Sequence, residues 1–399
     1  MFNPVQFRAE FPYFQQPNAA VYLDSAATAL KPQALIDATT AFYQSAGSVH
    51  RSQYDKRQTA QFEQARSRVR QFINAESDNA VVWTSGTTQA INTVANGLLP
   101  HLQAGDEIII SEADHHANFV TWSQTAAKCG AEIRILPIDD QWIIDRSALL
   151  AALSPRTKVV ALNFVSNVTG TEQPIAALIR LIRRHSAALV CVDAAQAVCH
   201  LAIDLQALDA DFLCFSAHKL YGPNGVGVLS GKLRSLALLQ PLLYGGKMVD
   251  KVSKERITFA DLPYRLEAGT PNIAGVIGFN AVLAWLSRWD FAAAERHAVT
   301  LAEQTARRLQ QYRNIQIFSA PNTGAVVSFV CNGIAASDIA TLLAEQNIAL
   351  RTGVHCAQPY LARLGQPATL RLSFAPYNTQ QDVDAFFIAL DKALALLND

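Results

Sequence analysis

A lysine in the middle of the chain stands where amine chemistry could occur. Lys219 follows an apolar run at 212–215 and precedes the turn residues Gly222 and Pro223. Polar residues at the carboxyl end of a buried strand commonly line the ligand crevice of open α/β sheets, so Lys219 could act there as a nucleophile. An ordinary loop lysine is the alternative, and the residue alone does not decide between them.

A carboxylate follows another apolar run of the same kind. Asp193 ends the stretch 188–193, just before Ala194 and Ala195. A buried acid needs a cationic partner, and a protonated pyridine nitrogen is one such partner. The competing interpretation is that Asp193 caps the helix that follows.

Two further segments lie at strand-to-helix junctions. The hydroxyl-rich run 84–88, which contains Thr87 and Thr88, would present backbone N–H groups to an anion at a helix start, although such residues are often simple caps. Asp114-His115-His116 follows the apolar run 107–111, and an imidazole there could stack on a flat ring. No third ligand stands at a suitable spacing, so the sequence predicts no metal site.

The second half of the chain carries a candidate thiolate. Cys356 closes the run 351–356, which begins with Arg351 and contains Gly353 and His355. A cysteine beside a histidine in polar, glycine-containing backbone is a candidate exposed nucleophile. Arg371 could hold a substrate carboxylate through two parallel hydrogen bonds. A surface thiol and a structural arginine are the alternatives.

The elements that must position these residues follow an alternating rhythm. Short apolar runs predict strands at 80–84, 107–111, 132–137, 158–165, 188–193, 211–216 and 226–230. Helical spacing predicts helices at 33–45, 56–74, 87–99 and 175–185. This pattern indicates an α/β fold with a mainly parallel, seven-stranded sheet covered by helices on both faces.

After about residue 285 the sequence pattern predicts long helices and a few short strands. The strands are predicted at 315–318, 325–330 and 369–374, and a final helix is predicted to begin at a Thr379 cap. We therefore predict a large domain over 16–284 and a smaller α+β domain formed by 1–15 and 285–399.

Composition narrows the class of function. The chain has 33 basic and 33 acidic side chains, so no net field would attract nucleic acid or anionic lipid. Its six cysteines are scattered without a CxxC pair. The first residues do not resemble a secretion signal, and the longest apolar region is interrupted by charged and polar residues. We expect a soluble cytoplasmic protein that acts on small molecules, without nucleic-acid or membrane partners.

Taken together, these motifs resemble the group II cysteine desulfurase and selenocysteine lyase family, whose members are pyridoxal-phosphate enzymes with the aspartate-aminotransferase-like fold (fold-type I). The similarity runs from Val21-Tyr22-Leu23-Asp24-Ser25-Ala26-Ala27 to the C-terminal helix, with the motifs in family order. Asp114 stands where the family usually has Glu, and Ala217 where Gly is common.

The resemblance implies a role for each candidate residue. The catalytic residues would be Lys219, which carries the cofactor, Cys356, which receives sulfur, and His115, which stacks on the cofactor ring. Pyridoxal phosphate would be bound by Lys219, Asp193, Gln196, His115, Thr87, Thr88, Ser216, His218 and, from a second subunit, Thr270. The substrate would be bound by Asn167, Arg371, Arg351, His50 and Arg51, the last three with less defined roles.

The implied reaction converts L-cysteine to L-alanine and leaves a persulfide on Cys356. A homodimer and a sulfur-acceptor protein are the implied partners. Selenocysteine lyase or cysteine sulfinate desulfinase activity is the main alternative, because those leaving groups depart without a thiolate. An aminotransferase and a catalytically silent scaffold also stay open.

Overall fold

The computed structural model describes residues 2–45, 47–318 and 324–398. Within them the strands are β1 Val21–Tyr22, β2 Val81–Thr84, β3 Glu107–Ser111, β4 Glu132–Leu136, β5 Thr157–Asn163, β6 Leu189–Asp193, β7 Phe212–Ser216, β8 Gly227–Gly231, β9 Val249–Val252, β10 Ile257–Phe259, β11 Ile315–Phe318, β12 Val326–Cys331, β13 Ile348–Ala349, β14 Arg351–Gly353 and β15 Thr369–Ser373. The helices are α1 Pro4–Ala9, α2 Gln33–Tyr43, α3 Lys56–Phe72, α4 Thr87–Gly97, α5 His116–Cys129, α6 Arg146–Ala152, α7 Ile175–His185, α8 Ala197–His200, α9 Leu205–Leu208, α10 Leu233–Leu236, α11 Ile273–Leu286, α12 Phe291–Leu309, α13 Ala336–Glu345, α14 Gln358–Arg363 and α15 Gln380–Asn398.

The central sheet has seven strands in the order β2-β8-β7-β6-β5-β3-β4. Strand β8 runs antiparallel to both of its neighbours, and the remaining pairs are parallel. The prediction of a mainly parallel, seven-stranded sheet is therefore confirmed.

Alternate residues of the central strands belong to different hydrophobic clusters. In β6, Val190 and Val192 pack in one cluster, whereas Cys191 between them packs in another. Because successive side chains of a strand point to opposite faces, the two clusters are the two sides of one sheet. Both sides are covered, which explains why these strands are almost continuously apolar in the sequence.

The C-terminal part forms a second, four-stranded antiparallel sheet in the order β11-β12-β15-β14. Helices α12, α13 and α15 share a separate hydrophobic cluster with this sheet. Helix α15 begins as the sequence predicts, because Thr379 Oγ1 accepts from Asp382 N at 3.4 Å and the Asp382 carboxylate accepts from Thr379 N at 2.9 Å. This reciprocal capping satisfies two N–H groups at the helix start.

A strand near the N-terminus packs with the C-terminal part of the chain. Strand β1 pairs in parallel with β13, although more than 300 residues separate them in the sequence. Nearer the N-terminus, Phe7 and Phe11 pack against Tyr221 and Trp285 of the larger cluster. The domain boundaries predicted at 15/16 and 284/285 stay a prediction.

Among the described residues, no helix combines the length and the apolar character that crossing a bilayer requires.

Candidate active site

A cavity of about 300 Å³ opens at the carboxyl edge of the large sheet, where the smaller lobe covers it. Asn163, Asp193 and Ser216 end the adjacent strands β5, β6 and β7, and Lys219 lies in the 3₁₀ turn that follows β7. The sequence-predicted residues that line the cavity are Thr87, Thr88, His115, Asn167, Asp193, Gln196, Ser216, His218, Lys219, Arg351, Cys356 and Arg371. The structure thus brings residues from both lobes around one space.

Lys219 and Asp193 have opposite charges in a buried setting. Burial lowers the pKa of the Lys219 amine, and the nearby Asp193 carboxylate opposes that shift. Burial likewise raises the pKa of Asp193, against the hydrogen bond that its carboxylate accepts from Ala195 N at 2.9 Å. Asp193 is not a helix cap, because α8 begins only at Ala197. A lysine held closer to neutrality is a better nucleophile.

His115 is fixed at the start of α5. Its Nδ1 accepts from Ala117 N at 3.0 Å, which sets the ring orientation. Burial lowers the pKa of His115 to about 4, so the ring is neutral at neutral pH. Neutral imidazole is the form that can stack closely on an aromatic cofactor without adding charge.

The preceding residue, Asp114, connects two strand ends. Its carboxylate accepts from Ser111 N at 2.8 Å and from Asn163 N at 2.9 Å, and the side chain is fully buried. Burial raises the pKa of Asp114 to about 8. Asp114 therefore holds the ends of β3 and β5 together, directly before His115 in the chain.

The segment predicted to bind an anion, at the start of α4, lies against the end of β7. Thr87 N donates to Ser216 Oγ at 2.8 Å, which joins the helix start to the end of β7. A Cβ at Gly227 would lie 2.4 Å from the Gly86 backbone, so only glycine permits this close approach. Burial lowers the pKa of His218, on the same edge, to about 4.

The segment that carries Cys356 has an unusual backbone. Gly353, His355 and Cys356 have φ values of 119°, 50° and 52°. Two hydrogen bonds attach the segment to the large lobe: His116 N donates to Cys356 O, and Asn167 Nδ2 donates to His355 O, each at 2.7 Å. The Cys356 side chain is exposed, and it faces both the cavity and an open cleft along α5.

Two arginines stand on the cavity wall and share one carboxylate. Arg371 Nη2 donates to Asp24 Oδ1 and Arg351 Nη2 donates to Asp24 Oδ2, each at 2.9 Å. Arg371 Nη1 also donates to Asn167 O at 2.8 Å, while its buried Nε has no partner among the described residues. Burial lowers the pKa of Arg371, and Asp24 opposes this shift.

Three predicted residues lie elsewhere in the same chain. His50, Arg51 and Thr270 line a separate pocket of about 440 Å³, in which Arg51 Nη2 lies 3.4 Å from Thr270 Oγ1. A single chain therefore does not bring these three residues to Lys219.

The family model named aminotransferase class-V matches residues 21–386. The chain belongs to the class-V aminotransferase family. Among its relatives, the chain is 70% identical over 98% of its length to the "Probable cysteine desulfurase" of Haemophilus influenzae, 89% of which is covered. It is 50% identical, over the full length of both chains, to cysteine desulfurase CsdA of Escherichia coli.

Solved structures agree with these relatives. A crystal structure of E. coli CsdA in an S-sulfonic acid form superposes with a TM-score of 0.94 at 48% identity, covering 99% of both chains. The apo structure of cysteine desulfurase from Thermococcus onnurineus also gives 0.94 at 30% identity, again over 99% of both. The resemblance to cysteine desulfurases and the fold predicted from the sequence are confirmed.

The cavity has groups that fit pyridoxal phosphate. Gln196 Oε1 and Asn163 Oδ1 are buried at the cavity wall without a hydrogen-bond partner among the described residues. Buried polar atoms usually have such a partner, so a polar ligand bound in the cavity would satisfy them. The Lys219 amine, the Asp193 carboxylate and the hydroxyl groups at the start of α4 line this cavity, and they are the kinds of group that suit the aldehyde, the pyridine nitrogen and the phosphate of that cofactor.

Sequence reasoning did not single out two residues of the site. Asn163 ends β5 beside Asp193, and a polar residue that closes a buried strand was the available signal. Asp24 offered no such signal, because its partners Arg351 and Arg371 are more than 300 residues away.

Proposed function

We propose that this protein is a pyridoxal-phosphate-dependent cysteine desulfurase that converts L-cysteine to L-alanine and takes the sulfur onto Cys356. The observation that carries the proposal is that Lys219 and Cys356, which belong to different lobes, line one cavity. An amine for the cofactor and an exposed thiol for sulfur are the two groups that this reaction needs. The relatives named as cysteine desulfurases support the same conclusion.

The large-lobe residues hold the cofactor and move protons. Bound pyridoxal phosphate would supply an electron sink for the α-carbon of the substrate amino acid. Asp193 would keep the pyridine nitrogen protonated, and Gln196 would donate to or accept from the ring hydroxyl. Thr87, Thr88, Ser216 and His218 would surround the phosphate. Lys219, once displaced, would remove the substrate α-proton, as its lowered pKa permits.

Cys356 performs the sulfur step. Its thiolate attacks the substrate sulfur, so that an S–S bond forms while the bond between sulfur and the substrate β-carbon breaks. The electron pair of the broken bond stays with the substrate, which takes up protons and leaves as alanine. The persulfide stays on Cys356. Because the side chain is exposed toward the cleft along α5, an acceptor protein could then collect the sulfur.

Arg371 and Asn167 would bind the substrate carboxylate. The free Nε of Arg371 and its buried position suit a charge-assisted hydrogen bond. Arg351, on the neighbouring strand, would act close to the reacting thiol.

A second copy of the chain would complete each site. His50, Arg51 and Thr270 lie together on the surface, away from the Lys219 cavity of their own chain. Mixing a Lys219→Ala chain with a Thr270→Ala chain tests this directly. Mixed dimers would contain one site with both native residues, so activity should return in the mixture, and its failure to return would count against shared sites.

The first experiment measures alanine released from L-cysteine, with a reductant present, by the native chain, by Cys356→Ala and by Cys129→Ala. Cys129 is a half-buried thiol at the end of α5 and serves as the matched control. We expect alanine from the native chain and the control but not from Cys356→Ala. Equal release by all three would instead favour a lyase, and no release by any of them would refute desulfurase activity.

A further inference from the structure

The second histidine of the pair at the start of α5 holds the segment that carries Cys356. His116 N donates to Cys356 O at 2.7 Å, and His116 Nε2 accepts from Gln358 N at 3.1 Å. One residue of the large lobe therefore makes hydrogen bonds both at the predicted nucleophile and two residues after it. His116 has no part in binding the cofactor or the substrate, so these hydrogen bonds point to a different task.

The backbone that these hydrogen bonds hold is unfavourable by itself. His355 and Cys356 have φ values of 50° and 52°. Residues with a Cβ rarely adopt this left-handed conformation, and it persists where the surrounding structure holds it. Asn167 Nδ2 holds the side before the cysteine by donating to His355 O at 2.7 Å. His116 holds the cysteine itself and the side after it, at Gln358.

The same histidine directly follows the residue predicted to stack on the cofactor ring. His115 is fixed by the hydrogen bond that its Nδ1 accepts from Ala117 N at 3.0 Å. The N–H of His116 is one of the donors at a helix start that have no partner within the helix, and Cys356 O accepts from it. A single peptide unit, 115–116, therefore connects the cofactor side of the cavity to the thiol. The distance between the two depends on how firmly His116 is attached to the Cys356 segment.

We propose that His116 is a positioning residue for the sulfur step. Its ring nitrogen holds the Cys356 segment in the conformation from which the thiolate reaches the substrate sulfur. The residue acts through the backbone at Gln358, and without this hydrogen bond the segment leaves the left-handed conformation more often. The thiolate then spends less time at the substrate. This inference rests on the proposed function, since it assumes that Cys356 receives the sulfur.

The test compares alanine release from L-cysteine with release from cysteine sulfinate, whose leaving group departs without a thiolate, as a ratio of kcat values. His116→Leu removes the ring acceptor but keeps the backbone N–H. Its ratio should fall about fivefold, the factor that one net hydrogen bond is worth in an equilibrium between two conformations. His116→Gln offers an amide oxygen as an acceptor for Gln358 N and should stay close to the native ratio.

The control is His101→Leu, because His101 Nε2 also bonds to the backbone, at 3.0 Å from Leu238 O, and His101 lines a separate pocket. Its ratio should equal that of the native chain. Equal losses with both substrates in His116→Leu would overturn the proposal, since the residue would then support the whole cavity. An unchanged ratio in His116→Leu, or an equally low ratio in His116→Gln, would overturn it as well.

Hydrogen exchange on the cofactor-loaded chain tests the same contact without turnover. Peptides that contain Gln358 should exchange their amide hydrogens faster in His116→Leu than in the native chain, and at the native rate in His116→Gln. Native exchange in His116→Leu would refute the role of the ring. If His116→Leu does not fold, His116→Ser carries the same expectations, because its side chain is too short to reach Gln358 N.

Exchange also separates this inference from the proposed function. If the native chain releases no alanine from L-cysteine, desulfurase activity fails. The exchange rates of the His116 variants still support or refute the attachment of the Cys356 segment in that case.

Discussion

Replacing Glu267 by glutamine should strongly destabilise the protein, because it breaks a buried ion pair on one side only. The Arg66 and Glu267 side chains are both 2% exposed. Arg66 Nη1 and Nη2 donate to the two carboxylate oxygens at 2.7 and 3.2 Å, and Trp83 N donates to Oε1 at 2.8 Å. Lys247 Nζ lies 3.3 Å from Oε2.

The size of the loss follows from what the amide cannot do. Glutamine keeps one acceptor oxygen, but its NH₂ group would face a donor of Arg66, so at least one charge-assisted hydrogen bond disappears. Among the described residues, the buried guanidinium would retain Glu63, whose side chain is 32% exposed, as its remaining acid, together with the hydrogen bond from Nη1 to Val81 O at 2.6 Å. Breaking a buried pair by removing one partner costs about 3–5 kcal/mol, and we expect Glu267→Gln to cost about 3 kcal/mol because Glu63 remains beside the guanidinium.

Urea unfolding followed by circular dichroism measures this change in the free energy of unfolding. Glu303→Gln is the control, because Glu303 forms an exposed pair with Arg307 at 3.9 Å and undergoes the same acid-to-amide change. The control should unfold close to the native midpoint. A Glu267→Gln midpoint no lower than that of Glu303→Gln would refute the reasoning.

Three further predictions concern the site and its surroundings. Gly227→Ala places a Cβ 2.4 Å from the backbone of Gly86, directly before α4, so the affinity for pyridoxal phosphate, measured by absorbance, should fall clearly. The control is Gly245→Ala, whose Cβ meets nothing within 4 Å and whose affinity should match that of the native chain. Burial lowers the pKa of Lys219, so the rate at which the apo chain takes up pyridoxal phosphate should rise with pH through a midpoint below the pKa of a free lysine side chain. A midpoint at or above that pKa would contradict the assignment of Lys219 as the residue that binds the cofactor. His200 pairs with Glu295 at 2.6 Å and its folded pKa is raised well above its usual value by that carboxylate, against the effect of burial. Its stabilisation is present below the unfolded pKa of about 6.5 and lost as pH rises through the folded one, so His200→Gln should lower the unfolding midpoint more at about pH 6 than at about pH 10.

The sequence predicts best those strands and helices whose own pattern of apolar residues determines which faces are buried. Strand β3 and helix α7 begin and end where their apolar patterns do, because both strand faces and one helix stripe are buried by any plausible packing. The end of β5 is different. The apolar run continues to Val165, but the strand stops at Asn163, and Val165 forms only an isolated bridge with Glu172.

Other parts of the structure depend on contacts that no local pattern contains. Strand β14 consists of Arg351, Thr352 and Gly353, a poor strand sequence by composition, and its conformation comes from pairing with β15. The hairpin of β9 and β10 is likewise short and largely exposed, so its sequence shows no clear alternation of apolar and polar residues from which strands could be predicted.

The site residues also differ in whether the local sequence reveals them. Asp193 and Lys219 could be found from strand ends, whereas Asp24 could not, because its function as a shared partner exists only once distant strands meet. The role assigned to Thr270 came from family resemblance and stays a prediction, since one chain places it outside the cavity.

The order of the two sheets along the chain has a consequence for protein synthesis. All seven strands of the large sheet lie between Val81 and Gly231, whereas β14, Cys356 and β15 come more than a hundred residues later. Because domains generally fold as units, N-terminal first, the ribosome delivers the lysine and its acid long before the thiol. A chain that terminates early, after about residue 340, would therefore contain Lys219 without Cys356, and under the proposed mechanism it could not take sulfur onto that residue.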